Sequence, residues 1–94
     1  MSEMQLEIVY LGGNCPVQAD GTVDGVPFYF RARHQHWTFS VGADPVMEED
    51  FLISNRYGTG PHDAGWMPEA EALAIIKVSA EAYHRFINLP KEGE

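Results

Sequence analysis

The chain has little cysteine. Cys15 is its single cysteine, so neither an intrachain disulfide nor a CxxC metal knuckle is possible, whereas secreted domains of this size usually carry several paired cysteines. Residues 1–5 lack the basic start and apolar run of a signal peptide. No apolar run approaches the length of a membrane span. We therefore expect a cytoplasmic protein with no membrane partner.

Positive charge is also scarce. Six Lys and Arg residues stand against 14 Asp and Glu residues, which gives a formal net charge of −8 and a pI near 4.8. Because Lys and Arg supply the affinity for phosphate, this composition argues against direct binding to nucleic acid or to anionic membranes. Three interpretations of the acidity remain: it attracts a basic protein partner, it binds a cation, or it only keeps the chain soluble.

Motifs that carry catalysis are lacking as well. The glycines at 12–13 and 58–60 are not followed by the helix start and lysine of a phosphate-binding loop. Cys15, His62 and Asp63 could form a nucleophile, base and orienting group, but Cys15 has no cationic neighbour in sequence to activate its thiol. We predict no enzymatic activity, no catalytic residue and no cofactor.

His34 and His36 are the best candidates for a metal pair. Residues two apart share one face of a strand, and two imidazoles bind zinc if a third ligand approaches. His62, Asp63 and Cys15 are possible third ligands. The pair lies at a predicted turn, where strand geometry fails, so we expect no metal site. Two alternative functions remain. One is a small metal- or ligand-binding domain that uses His34, His36 and His62, and the other is a homodimeric structural protein of unknown role that pairs through an exposed sheet edge.

The strand pattern is what the sequence does contain. Apolar and polar residues alternate from Val17 to Val41, interrupted at Asp24-Gly25 and at residues 34–35. Two-residue turns at these points pair Val23 with Val26 and collect the apolar side chains on one sheet face. A longer loop with the same phase is possible at 34–35. The predicted core face contains Phe28, Phe30, Ala32, Trp37, Phe39 and Val41.

Flanking segments complete the predicted fold. Residues 6–11 form a short strand with Leu6, Ile8 and Tyr10 on one face, and residues 51–57 form a last strand. A helix begins with Pro68 as its first residue. Its buried stripe is Leu73, Ile76, Ala80, Tyr83 and Ile87. The fold class is α+β, an antiparallel meander of four or five strands packed on one C-terminal helix as a two-layer sandwich. Residues 1–94 form a single domain, with a flexible tail at 90–94.

An acidic group is the first candidate binding surface. Its members are Asp44, Glu48, Glu49 and Asp50, joined by Glu69 and Glu71 at the helix start. Carboxylates spaced along a rigid domain can imitate nucleic-acid phosphates and attract a basic groove. The alternative is a solvated loop followed by a helix whose acidic residues favour its N-terminus.

The outer face of the central hairpin is the second candidate surface. Tyr29, Arg31, Arg33 and His36 fall on this face, and Arg and Tyr are residue types that anchor protein interfaces. We interpret the face as a second contact or as the surface of a homodimer. The alternative is an ordinary exposed sheet face stabilised by cross-strand pairs.

Three segments carry a resemblance to known proteins: GGNCPVQADG at 12–21, VPFYFRAR at 26–33 and GWMPE at 65–69. In these the chain resembles small uncharacterised proteins of bacteria and their phages. In size, acidity and lack of catalytic motifs it is similar to anti-CRISPR proteins, which are phage-encoded inhibitors. The similarity implies a non-enzymatic inhibitor that occludes the nucleic-acid-binding surface of a basic partner, and it transfers no functional residue.

Overall fold

A five-stranded antiparallel sheet with one helix across it forms the protein. A computed structural model describes residues 4–13, 16–44, 49–58 and 64–88. The strands follow one another in chain order as a meander, and the predicted two-layer α+β fold is confirmed. The flexible tail predicted at 90–94 lies outside the described residues. The elements are β1 Leu6–Gly12, β2 Val17–Val23, β3 Val26–Arg33, β4 His36–Val41, β5 Phe51–Arg56, a short 3₁₀ helix Ala64–Trp66 and α1 Glu69–Ile87.

Two-residue turns set the register of the central strands. Asp24 and Gly25 have φ angles of 52° and 82°, the left-handed pair that tight hairpins require. His34 adopts the same region with φ 58°, although it is not a glycine. Val23 therefore faces Val26 in the β2–β3 hairpin. The predicted partners across β3 and β4 are likewise confirmed, with Phe30 opposite Phe39.

The facing of β1 differs from the prediction. A β-bulge lies between Ile8 and Tyr10, where the register against β2 shifts by one residue. Because the extra residue reverses the alternation, Leu11 joins Leu6 and Ile8 against the core, and Tyr10 is 51% exposed. The prediction that Tyr10 shares the face of Leu6 is therefore wrong.

Gly21 lies where the backbone of β1 closely approaches β2. It is paired with Ile8, next to the bulge. A Cβ atom built on Gly21 would lie 2.0 Å from the carbonyl oxygen of Glu7, well inside van der Waals contact. The absence of a side chain at this position therefore allows β1 to join the sheet.

The core lies between the helix and one face of the sheet. Phe28 and Phe39 stack with ring centroids 5.2 Å apart, and Ile76 of α1 is fully buried. The buried apolar residues are Val17, Ala19, Val23, Phe28, Phe30, Ala32, Trp37, Phe39, Val41, Ala64, Met67, Ala72, Ile76, Ala80 and Tyr83. All six residues predicted for the core face of β3 and β4 belong to this set.

The helix agrees with its predicted stripe except at its ends. Ile76, Ala80 and Tyr83 are buried, together with Ala72 and Ser79. Leu73 is half-buried. Ile87 is 46% exposed, so its predicted burial is wrong; it is the last residue of the helix. Pro68 directly precedes the helix instead of being its first residue. In the described part of the chain, no helix is long and apolar enough to cross a bilayer.

Two contacts fix the direction of the helix over the sheet. Near its start, the Ala64 amide donates to the His34 carbonyl at 2.8 Å, so this side of the sheet is called the His34 end. Near its finish, His84 Nδ1 lies 2.6 Å from Asp24 Oδ2, and this side is called the Asp24 end. The helix therefore runs from the β3–β4 turn to the β2–β3 turn.

Asp24 connects the hairpin turn, β1 and the helix. Its second carboxylate oxygen accepts a hydrogen bond from the Gln5 amide at 2.9 Å. Burial alone would raise the pKa of Asp24, but the hydrogen bonds from His84 and Gln5 and the charge of His84 outweigh it and lower the pKa below its ordinary value. The ionised carboxylate therefore stabilises the fold.

We predict that Gly21→Ala destabilises the protein by roughly 3 kcal/mol, at the upper end of the cost of overpacking, because the new methyl group would overlap the Glu7 carbonyl. Gly25→Ala is the matched control. Its methyl group meets no atom within 4 Å, so only the positive φ costs energy, about 1–2 kcal/mol. Urea unfolding of both variants measures the difference. Equal losses would contradict the close approach.

We predict that Asp24→Asn lowers the free energy of unfolding by about 1 kcal/mol at neutral pH, because Asn keeps the left-handed turn but removes the carboxylate. Since the pKa of Asp24 is lowered on folding, its stabilisation is fully present above the ordinary pKa of 3.8 and is lost as pH falls below it. Unfolding curves of both proteins should therefore converge in acid. A difference that does not depend on pH would contradict this assignment.

Candidate functional site

The outer face of the sheet is the surface that the helix does not cover. Arg33 of β3 lies opposite His36 of β4, and His36 lies opposite Arg56 of β5. Residues in register share a face, so these three side chains form a line across three strands. We call this line the basic row. All three of its residues are exposed.

Arg31 and Tyr29 continue the face toward the Asp24 end. Tyr29 donates a hydrogen bond from its hydroxyl to Gln18 Oε1 at 3.1 Å, and its carbonyl accepts one from the Ser40 hydroxyl at 3.3 Å. Arg31 is half-buried. Its Nε atom is buried and makes no hydrogen bond within the described part of the chain. The structure therefore brings Tyr29 and Arg31 together with the basic row.

Arg56 is the member of this face that sequence reasoning missed. The predicted last strand placed Arg56 on one side with Leu52 and Ser54, but the segment 42–50 between β4 and β5 gave no register. The observed pairing brings Arg56 beside His36, and Arg56 Nη2 donates to Gln35 Oε1 at 3.3 Å. Three of the six Lys and Arg residues in the chain thus lie on this face.

The predicted acidic surface is divided between the two ends of the sheet. Asp44 and Asp50 lie in the segments that join β4 to β5 at the Asp24 end, and both are exposed. Glu71 lies at the His34 end, where it accepts a hydrogen bond from the Tyr57 hydroxyl. β5 separates Asp50 from Tyr57, a distance of about 20 Å at the rise of a strand.

The remaining acidic candidates follow the same division. Glu49 is exposed beside Asp50, and Glu69 is exposed in the first turn of the helix with Glu71. Glu48 lies outside the described residues.

Burial raises the pKa of the Tyr83 phenol, and the negative charges of Asp50 and Asp24 raise it further. Carboxylates therefore gather near Tyr83 at the Asp24 end, and Glu69 and Glu71 do not join them.

The histidines do not form a metal site with the residues that the structure describes. His34 is in the turn with a positive φ, and His36 is in the basic row. Over residues 4–13, 16–44, 49–58 and 64–88, no three His, Cys, Asp or Glu side chains are grouped closely enough to hold an ion. His62, Asp63 and Cys15, the predicted third ligands and catalytic alternatives, lie outside these ranges.

An apolar hollow lies between the helix and β4. It has a volume of about 240 Å³ and is lined by Trp37, Ala74, Ile75, Val78 and Ser79. Ligand pockets usually hold a few polar groups that orient the ligand, and here the lining offers only the Ser79 hydroxyl and the Trp37 indole N–H. The hollow is therefore a weaker candidate for a ligand site than the outer face.

Comparison with known proteins gives no relative from which a function could be transferred. No protein-family model matches the chain, and no curated protein or solved structure is significantly similar to it. The candidate site is therefore defined by its geometry and charge.

Proposed function

We propose that the protein is a non-enzymatic protein-binding module that contacts an acidic region of its partner through the outer face of the sheet. The observation that carries this proposal is the basic row on the sheet face opposite the helix, in a chain whose net charge is −8. Its single cysteine agrees with a cytoplasmic location.

The arrangement of charge in the basic row supports a binding role. In an exposed sheet face, opposite charges on neighbouring strands stabilise the sheet and like charges destabilise it. Arg33 and Arg56 instead flank a histidine, and neither has an ion pair with a described residue. An acidic surface on a partner would supply the missing counter-charge.

The residue types of the face also suit an interface. Arg and Tyr are enriched among the residues that dominate binding energies. Tyr29 is already held by its hydrogen bond to Gln18, and the strands hold the backbone of Arg31 and Arg33 in place. Little backbone freedom is then lost from these positions on binding, and the remaining cost is the ordering of the Arg side chains.

We predict that Arg33→Glu weakens partner binding about 10-fold or more, because it opposes the acidic surface of the partner. Lys77→Glu is the matched control, since Lys77 is also exposed but lies on the helix. Quantitative capture from a lysate of the source organism would compare wild type with both variants. Proteins retained by Lys77→Glu and lost with Arg33→Glu support the proposal. Equal effects of the two variants contradict it.

The acidic Asp24 end supports a second candidate, a phage-type inhibitor with an anti-CRISPR-like profile. Asp44, Glu49 and Asp50 are exposed at this end, and Asp24 lies in the neighbouring turn. Such a group could occlude the nucleic-acid-binding groove of a basic partner by presenting carboxylates in place of phosphates. The basic row would then be a second contact.

We predict for this candidate that reversing Asp44, Glu48, Glu49 and Asp50 to Lys abolishes binding of a basic partner, while Arg33→Glu leaves it intact. The same capture at rising salt provides the measurement, since electrostatic binding weakens as salt screens the charges. Unchanged binding by the four-residue variant would rule out the inhibitor. Loss with Arg33→Glu alone would favour the outer face.

A further inference from the structure

A second row of polar side chains lies beside the basic row on the outer face of the sheet. Arg31 of β3 lies opposite Thr38 of β4, and Thr38 lies opposite Ser54 of β5. Each of them lies two residues from a member of the basic row on its own strand, so both rows share one face. Because neighbouring strands are about 5 Å apart and two residues along a strand span about 7 Å, the two rows start from an area of roughly 10 × 7 Å. We call this group the arginine patch, and its members are Arg31, Arg33, His36, Thr38, Ser54 and Arg56.

Arg31 is the member of the patch that is shielded from water without gaining a partner. Its Nε atom is buried and makes no hydrogen bond within the described part of the chain. A donor group that leaves water without a new acceptor costs free energy, and a charged donor costs more. The residue as a whole is half-buried, so a ligand can still reach its guanidinium group from solvent. An acceptor oxygen bound there offsets a cost that the exposed arginines do not have.

The described strands supply no carboxylate that balances this charge. Asp20 of β2 is the acidic residue of the outer face that lies closest to Arg31 in register, and it lies opposite Tyr29 in the next row. In the part of the chain that the structure describes, it forms no ion pair with Arg31. Arg56 Nη2 donates to Gln35 Oε1 at 3.3 Å, but a side-chain amide is neutral and leaves the positive charge uncompensated. The described residues therefore do not neutralise the arginine patch.

We propose that the arginine patch binds a phosphorylated serine or threonine side chain of the partner protein. This inference rests on the proposed function, because it names the acidic group that the outer face contacts. A phosphoryl group carries a charge of about −1.5 to −2 at neutral pH and presents three acceptor oxygens. Arginine donates pairs of parallel hydrogen bonds to such a group. The hydroxyl groups of Thr38 and Ser54 can donate to an oxygen that the arginines leave free.

The amount of charge in the patch favours a phosphoryl group over the carboxylate of an aspartate or glutamate. Arg33 and Arg56 lie on either side of His36, and Arg31 lies two residues from Arg33 on the same strand. Like charges on neighbouring strands repel each other, so the patch holds an anion more strongly the more of this charge the anion neutralises. A carboxylate brings a single charge and a pair of oxygens to three guanidinium groups. A phosphoryl group brings about two charges and one oxygen for each guanidinium group.

The rest of the molecule favours a single phosphoryl group over the many phosphates of a nucleic acid. The patch lies at the His34 end of the outer face, whereas Asp44 and Asp50 are exposed at the Asp24 end. The chain as a whole has a net charge of −8. Phosphates that continue along a nucleic-acid strand would meet this negative charge without a compensating Lys or Arg. A single phosphoryl group on a protein contacts the patch alone, so we assign the ligand to a protein.

A heteronuclear NMR titration of the full-length protein tests the proposal without a partner. The probes are phosphoserine and glutamate, both with acetylated amino groups and amidated carboxyl groups. Because Arg31 Nε is shielded from water, its N–H signal should be observable, and phosphoserine should shift this signal in a saturable way. Glutamate should bind about 10-fold more weakly, since it has less charge and one oxygen fewer.

Arginine-to-lysine variants show whether the paired donors matter. Arg31→Lys keeps the charge but loses the fork of donors, so it should weaken phosphoserine binding about 10-fold. Arg85→Lys is the matched control, because Arg85 is exposed on the helix and should not affect binding. The proposal is overturned if no signal of the outer face shifts, if glutamate binds as tightly as phosphoserine, or if both variants behave alike.

Phosphatase treatment of the lysate separates this inference from the proposed function. Proteins that Arg33→Glu fails to capture should also be lost by the wild type when the lysate is dephosphorylated before capture. If the wild type still captures them after dephosphorylation, the proposed function stands and the phosphoryl group is overturned. If Arg33→Glu captures them as well as the wild type does, both are overturned. Loss after nuclease treatment but not after phosphatase treatment assigns the phosphates to nucleic acid and also overturns the inference.

Discussion

The left-handed backbone at two turns is the constraint on which the rest of the structure depends. Asp24, Gly25 and His34 all have positive φ, which closes each hairpin with two residues and fixes the register of three strands. A slip of one residue would turn the four core aromatic side chains of β3 and β4, Phe28, Phe30, Trp37 and Phe39, outward. The core on one face and the basic row on the other are consequences of the same two turns.

β1 and the helix are attached by contacts with the two central hairpins, which β2, β3 and β4 form. β1 joins because Gly21 has no side chain to meet the Glu7 carbonyl, and its bulge ends regular pairing at that edge. The helix is held at the Asp24 end by the pair between His84 and Asp24. The Asp24 carboxylate therefore connects the turn to the first strand and to the helix. Asp24 and His84 are 60 positions apart in the chain.

Charge is distributed unevenly over the two faces and ends of the sheet. Exposed carboxylates gather near the β4–β5 connection, and the basic row crosses the sheet at the His34 end. A protein with a net charge of −8 thus presents a local positive surface that its composition does not reveal. Our interpretation as a protein-binding module follows from this local surface, because binding surfaces are recognised by their local charge and shape and not by the total charge.

The sequence by itself determined the fold class, the Asp24-Gly25 turn, the pairing of β2 with β3, the facing of β3 and β4 and most of the helix stripe, because alternation and turn chemistry act over a few residues. It left the length of the turn at 34–35 open. Tertiary structure decided the rest. The facing of Tyr10 depends on a bulge, the exposure of Ile87 on how the last turn of the helix packs, and the place of Arg56 in the basic row on the register of β5. Glu71 and Asp50 lie at opposite ends of the sheet for the same reason. A long connection does not fix the relative positions of the residues that it joins, so these positions are set only when the strands and the helix pack.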